Sequence, residues 1–441
     1  MVPSHIVKRN GALAPFKRFI KGAAMISIPK GTKDMLPSQA HKWHFVEECA
    51  RETARLFNIR EIRTPTFEHT ELFLRGVGET TDIVNKEMYT FNDKGGRSIT
   101  LKPEGTAGAA RAFIENGLIN EPMPLKMYYF TPVFRYERPQ AGRLREHHQF
   151  GIEYFGSKSA SADCEIIEVA HTFFKKLGID GLSLYINSIG CGKCRPSYNR
   201  ALKEFLHGNA QSLCPTCGDR LERNPLRVLD CKEPGCSKLL ENAPKTIDHL
   251  CGECAGHFEK FKEYLSAIGI EYLINPNIVR GLDYYTKTVF EFTSGHLGSQ
   301  STVCGGGRYD DLIEQLCGKS VPGAGFGLGL ERLLLILENM GRKIPDPDLP
   351  QLYVAPVEKE AYPFCLSLVH GLRQQGVRAE ADHMERSLKA QLKYAVKIGA
   401  KYVAIIGGDE MAAGEATLKH MESGAEQRVN FGKIKEYIEG N

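Results

Sequence analysis

The 441-residue chain has no apolar run long enough to cross a bilayer. The longest candidate, Leu333 to Leu337, sits inside an amphipathic pattern, so a membrane-spanning protein is excluded. Net charge is also scarce: 57 Lys and Arg against 53 Asp and Glu leave +4. That balance neither demands a nucleic-acid partner nor rules one out, because a basic face can be offset by acidic surface elsewhere. There is no internal repeat and no low-complexity tract. Neither glycine-bearing run near residues 281 and 305 is closed by Gly-Lys-Ser/Thr, which excludes a phosphate-cradling P-loop at both. Residues 1–24 lack any acid while holding Lys8, Arg9, Lys17, Arg18 and Lys21. A targeting peptide has that character, but this segment is short and poor in Ser, which favours a plain upstream extension before Met25.

What is present is ordinary globular material, 42% hydrophobic and 25% charged, in a length that suits two or three domains. Three shifts in composition divide it. Residues 25 to about 188 alternate helical and strand patterns, and the stretch 189–262 is cysteine-bearing and helical with knuckle-like turns. Strand and helix patterns resume near 271 and end with a helix over Arg332–Glu338. The segment Gly341 to Pro350, with three prolines, reads as a linker. Beyond it, strands at Leu352–Val357, Val377–Asp382 and Tyr402–Ile406 alternate with helices, predicting a small α/β domain with a mostly parallel sheet.

Three segments carry the chemistry. In Val133 to Glu137, strand alternation sends Phe134 and Tyr136 to one face and Arg135 and Glu137 to the other. A turn-rich loop ending at Arg143 follows, and the next strand puts Phe150, Ile152 and Tyr154 opposite Gln149, Gly151 and Glu153. Two antiparallel neighbours would then share a face of Arg, Glu, Gln and Glu, with Gly151 leaving room for a close approach. Were that face covered, a polar ligand would have to complete its charges. The second segment is Arg280–Thr286, entering a strand, followed by the triplet Gly305, Gly306 and Gly307 and then Arg308, Tyr309 and Asp310. Three glycines permit close backbone approach to a ligand, and they equally suit a turn. The third alternates small and apolar residues from Gly323 to Gly329 and then starts a helix, with Arg332 in its first turn. A cation is disfavoured there by the helix dipole, and an anion at that end would offset the misfit.

Taken in order, Phe134–Glu137, Arg280–Thr286 and Gly327–Arg332 identify the chain as similar to the class II aminoacyl-tRNA synthetases. Within them it resembles the histidyl-tRNA synthetases, from about Met25 to the C-terminus. The segment Glu47–Pro65 resembles the family's dimerisation motif, and Lys102–Ala107 resembles its histidine-binding loop, with Lys102 where Arg is common. The resemblance implies an α+β catalytic core on an antiparallel sheet over 25–345, interrupted by the helical insertion, with an anticodon-binding domain over 346–441. It implies a cytoplasmic homodimer that joins histidine to its tRNA through a histidyl-adenylate made from ATP with Mg2+. Arg135 would hold the α-phosphate and Arg332 the γ-phosphate end, with Glu137 and Arg143 on the ATP side. Glu104, Thr106, Gln149 and Glu153 would bind the amino group and ring of histidine, with Tyr285 and Tyr309 around the imidazole. Arg280 would stabilise charge on the α-phosphate. His147 stands where the family usually has a Phe stacked on adenine, and an imidazole offers less area for stacking. This division of labour is chemically coherent, because the substrate carboxylate is its own nucleophile and catalysis reduces to positioning and charge stabilisation.

Eight of the 13 cysteines form short pairs: Cys191 with Cys194, Cys214 with Cys217, Cys231 with Cys236, and Cys251 with Cys254. The other five are scattered, which suits a reduced protein better than a disulfide scaffold. Two such pairs complete a tetrahedral structural zinc site, and four could build two. Reduced free thiols and a redox switch are the alternatives, and the spacing does not say which pairs combine. After Glu385, Lys389, Lys393 and Lys397 recur at helical spacing beside Arg386, while Leu388, Leu392 and Val396 follow another face. A basic stripe of this kind follows a phosphate backbone or simply faces solvent. The alternatives to a synthetase are a synthetase-like regulatory subunit of ATP phosphoribosyltransferase, a class II enzyme for threonine or glycine, and a zinc-dependent nucleic-acid-binding protein. The retained Arg135, Arg280 and Arg332 argue against the first, and Tyr285 and Tyr309 in their contexts argue against the second. The synthetase motifs argue against the third.

Overall fold

The computed structural model describes residues 26–78, 81–140, 142–231, 233–297 and 302–440, so the basic extension lies outside the described residues. The chain forms two compact units, one reaching Ile344 and the other beginning at Pro345. Among the described residues no helix is long and apolar enough to cross a membrane.

The first unit is built on an eight-stranded sheet. Its order is Arg60–Glu61, Leu125–Phe134, Glu146–Phe155, Gly323–Gly329, Thr302–Arg308, Thr286–Ser294, Leu182–Ser188 and Leu273–Ile274. All interior pairs are antiparallel, and only the two-residue edge strands pair in parallel. Alternation within each strand decides its two faces. Phe150, Ile152 and Tyr154 turn to one side with Phe290, Phe292 and Phe326, and all are buried. There they meet the helices Pro37–Leu56, Ala160–Lys176, Gly252–Ala267 and Leu330–Asn339. Truncating one of those rings, Phe150 for instance, would cost about 3–5 kcal/mol through lost transfer energy and the cavity left behind. The opposite face carries Gln149, Gly151, Glu153, Gly305 and Gly325, and the candidate site is built on it.

Two details depart from the sequence reading. The strand expected over Val133–Glu137 stops at Phe134, because the amide of Tyr136 is drawn away to the carbonyl of Glu87 (2.7 Å). The glycine triplet is no turn; it lies inside the strand Thr302–Arg308 and pairs on both edges.

The cysteine-bearing segment is helical, as its pattern suggests, with helices over Arg195–Gly208, Pro215–Arg223 and Pro234–Leu240. It has its own small core, in which Leu202, Leu206, Val228 and Leu240 pack with Cys217 and Cys236. The helix Gly252–Ala267 instead joins the main core through Phe258, Phe261 and Leu265.

In the second unit, Ala379–Ala381, Leu352–Pro356 and Tyr402–Ile406 pair in parallel, as read. The sheet is nonetheless not mostly parallel, because Glu415–His420 and Glu426–Asn430 add an antiparallel hairpin. Those strands mix Lys, His, Glu, Gln and Arg and leave one side wet, which hid them in the sequence. Lys389, Lys393 and Lys397 are exposed on the helix Leu388–Ile398, but Val396 is exposed as well and does not share the buried side of Leu388 and Leu392.

Candidate active site

Glycines pave the open face of the sheet, and side chains lie close over several of them. A Cβ on Gly151 would lie 2.6 Å from Cε2 of Tyr129 and closer still to its Cζ, so the room expected there is already filled by that residue. A Cβ on Gly305 would lie 2.5 Å from Cζ of Arg280, and one on Gly325 would lie 2.8 Å from the hydroxyl of Tyr309. Gly327 differs, since its nearest neighbours are atoms of Gln149 at 3.9 Å. It forms part of the floor of an open cavity of about 210 Å³.

That cavity brings together Arg135, Glu137, Arg143, His147, Gln149, Arg280 and Arg332, which lie as much as 197 positions apart in sequence (332 − 135). Four arginines line it against two glutamates, Glu137 and Glu331. Both acids are engaged: Glu137 pairs with Arg143, while Glu331 accepts from the amide of His148 (3.0 Å) and meets its Nδ1 at 3.0 Å. Arg135 donates from Nε to the carbonyl of Pro103 (2.8 Å). Arg332, in the first turn of its helix, donates to the carbonyls of Gly142 (3.0 Å) and Thr302 (2.7 Å). Burial lowers the pKa of Arg135 and of Arg332, and the neighbouring arginines lower that of Arg332 further. A cavity in which cations crowd one another in this way favours an anionic ligand over a cationic one.

Arg280 is handled differently. Burial works against its charge, yet Glu291 and Tyr285 hold its pKa above the usual arginine range. Nη1 pairs with Glu291, whose other oxygen accepts from Thr302 Oγ1 (3.1 Å). His147 is kept neutral: burial, with Arg135 and Arg332 beside it, pushes its pKa down to about 3. It therefore offers an uncharged ring, as a Phe in its place would.

Behind the cavity lies a closed polar cluster. Glu153 is completely buried and accepts from Thr106 Oγ1 (2.7 Å), Tyr129 OH (2.9 Å) and Tyr309 OH. Burial raises its pKa to about 8 against those three donors. Glu104 caps the helix Thr106–Glu115, taking the amides of Thr106 and Ala107 at 2.7 Å each. Burial raises its pKa too, opposed by those amides and by Arg135. The rings of Tyr284, Tyr285 and Tyr309 pack within 6.4 Å of one another. Lys102 faces away from this cluster, donating to the carbonyl and hydroxyl of Thr64, and burial brings its pKa down to about 8.

Three contributors escaped the sequence reading. Tyr129 shares a strand with Thr131 and lies opposite Gly151, so alternation from Gly151 across the pair would have found it. Glu291 and Thr302 carried no such signal, because Glu291 holds Arg280 and Thr302 holds Glu291 across a strand pair fixed only by the fold.

The eight clustered cysteines form two tetrads, Cys191/Cys194/Cys251/Cys254 and Cys214/Cys217/Cys231/Cys236. Within each, all sulfurs lie within 4.8 Å of one another.

A family model described as Histidyl-tRNA synthetase matches residues 31–333, and one described as Anticodon binding domain matches 351–441. The Histidine--tRNA ligase of Caldanaerobacter subterraneus subsp. tengcongensis is 57% identical over 414 residues, covering 94% of this chain and 99% of that protein. The Histidine--tRNA ligase of Acetivibrio thermocellus is 54% identical, covering 92% and 98%. Among solved structures, the apo histidyl-tRNA synthetase of S. aureus superimposes with a TM-score of 0.80 at 37% identity, covering 94% of this chain and 100% of that one. Agreement over nearly the whole of both chains means that the chain belongs to the histidyl-tRNA synthetase family.

Proposed function

We propose that the arginine-lined cavity binds ATP and the buried Glu153 cluster binds histidine, so that the two meet beside Arg280. The reaction itself follows from the family: histidine is ligated to its tRNA in two steps, through a histidyl-adenylate formed from ATP with release of pyrophosphate. The carboxylate of histidine attacks the α-phosphorus, and the chain supplies alignment and countercharge rather than a base.

Arg135 holds the α-phosphate, Arg332 with Arg143 the γ-phosphate end, and His147 lies along the adenine. Mg2+ arrives with the nucleotide, and Glu137 and Glu331 are the carboxylates lining the same cavity. Glu153, with Glu104, Thr106 and Gln149, receives the amino group and ring of histidine, while Tyr285 and Tyr309 wall the imidazole. Arg280, held by Glu291, faces the α-phosphate as charge develops. The observation that carries this reading is the convergence of Arg135, Arg143, Arg280 and Arg332 on one cavity.

The second unit would engage the tRNA, with the exposed Lys389, Lys393 and Lys397 along its phosphates. The segment Glu47–Pro65 would serve a homodimer, and a monomeric mass at micromolar concentration would count against that. All 13 cysteines are free, which fits action in the reducing cytoplasm and leaves the two tetrads available as thiolate ligands for structural zinc.

Exchange of labelled pyrophosphate into ATP, run with each of the twenty amino acids, tests the assignment. Exchange with histidine alone, lost in Arg280→His, is expected. Exchange driven by another amino acid, or unaffected by Arg280→His, would overturn the placement of the pocket or of Arg280.

A further inference from the structure

We propose that the insertion binds two structural zinc ions, one in each cysteine tetrad, and that together they fix its grip on the segment Arg280–Tyr285. The distances support the ions. Four sulfurs 2.3 Å from a central zinc stand about 3.8 Å from one another at the corners of a tetrahedron. The sulfurs of Cys191 and Cys194 are 3.8 Å apart, those of Cys191 and Cys251 are 4.0 Å, and those of Cys214 and Cys231 are 3.8 Å. A disulfide would bring a pair to about 2.0 Å. Each tetrad also has a backbone amide aimed at sulfur: Cys251 N donates to Cys194 Sγ and Cys214 N to Cys236 Sγ, both at 3.1 Å. Amides so placed stabilise thiolate charge around a metal. With four cysteines apiece neither site keeps an open position, so the ions hold structure rather than perform chemistry.

The ions would hold several donors in place around Arg280–Tyr285. Cys194 precedes Arg195, whose Nη2 donates to the carbonyl of Tyr285. Beside the first tetrad, Gly190 and Lys287 pair through the backbone (2.7 Å), and Lys287 Nζ reaches Glu253, between Cys251 and Cys254, at 2.9 Å. The second tetrad closes the loop between Cys217 and Cys231. That loop carries Arg220 to Asp82 (2.6 Å), Asn224 to Asp283 (3.1 Å) and Arg227 to the carbonyl of Arg280 (2.9 Å). Both tetrads thus anchor donors that reach the one segment bearing Arg280 and Tyr285. Small helices with little core of their own need such staples.

The metal assignment stands by itself, whereas the effect on histidine rests on the proposed pocket. Metal analysis of the full-length protein, purified without chelator, should give two zinc per chain, falling to one in Cys217→Ser and in Cys254→Ser. Cobalt grown in should show sulfur-to-metal charge-transfer bands, a readout that needs no activity and no variant. Iron in place of zinc, a single ion, or metal-free protein with all eight thiols freely reactive would overturn the assignment. For the grip, Arg227→Ala should retain both ions yet raise KM for histidine in pyrophosphate exchange about tenfold, the weight of one lost hydrogen bond. KM for ATP should stay unchanged, and Arg227→Lys should restore part of the loss. An unchanged histidine KM, or both KM values rising together, would overturn the link while leaving the zinc result intact.

Discussion

Replacing Gly305 with alanine would separate the work of Arg280 from the stability of the sheet beneath it. The added methyl would arrive 2.5 Å from Cζ of Arg280, well inside contact distance. The guanidinium is the far end of a flexible side chain, so it can swing away at little cost to the fold. It cannot do so and stay on Glu291. Losing a charge-assisted hydrogen bond costs about 1.5–3 kcal/mol, and misplacing a reacting group by an ångström costs on the order of 100-fold in rate. We therefore expect kcat for pyrophosphate exchange to fall about 100-fold, roughly 2.7 kcal/mol in barrier, with Tm close to that of the native enzyme. Gly306→Ala is the control. Its methyl would meet the carbonyl of Gly325 and lie 2.7 Å from Cβ of Phe326, which are parts of the sheet itself. Overpacking of that kind costs about 1–3 kcal/mol in stability, read as a lowered Tm or denaturant midpoint. Full activity in Gly305→Ala, or equal losses of Tm in the two variants, would refute the assignment of Gly305 as the seat of Arg280.

Tyr129→Phe removes one of three donors from Glu153 and should raise histidine KM about tenfold, near 1.4 kcal/mol, with ATP KM unmoved in the same exchange assay. If histidine binds at Glu153 as proposed, its binding is expected to be proton-linked. The folded pKa of Glu153, about 8, lies above the ordinary 4.5, so its contribution to stability is complete below pH 4.5 and is lost as pH rises through about 8. A ligand ammonium favours the carboxylate, so at pH 7 binding should release protons from Glu153. Calorimetry in buffers of different ionisation enthalpy should show that release in native protein and less of it in Glu153→Gln; identical values would remove the ammonium from this carboxylate. Asp163→Ala strips Arg308, which is fully buried, of its main partner and leaves His257 without its 2.8 Å contact to that carboxylate. Breaking a buried pair from one side costs about 3–5 kcal/mol, so thermal unfolding should begin several degrees lower, and an unaltered Tm would contradict the pairing.

Much of this molecule could be read without coordinates, and the reason lies in the range over which each signal acts. Strand alternation placed Phe150, Ile152 and Tyr154 opposite Gln149 and Glu153 because the side-chain period of a strand is a local property. The helix carrying Arg332 followed from the pattern after Gly329 for the same reason. Residues after Phe134 were misread as strand because a distant acceptor, the carbonyl of Glu87, ended the ladder. The hairpin in the second unit was missed because a half-wet edge carries little hydrophobic period.

The family motifs, the succession of elements and the residue types available to the site are all legible along the chain. Which of them meet depends on the fold. Thr106 reaches Glu153 across 47 positions, Arg280 rests on Gly305, and Cys191 joins Cys251 rather than the nearer pairs. Those choices depend on strand order and on the packing of helices against one face, both set by burial summed over the whole domain. No local pattern contains that sum, so the partners emerged only once the chain was folded.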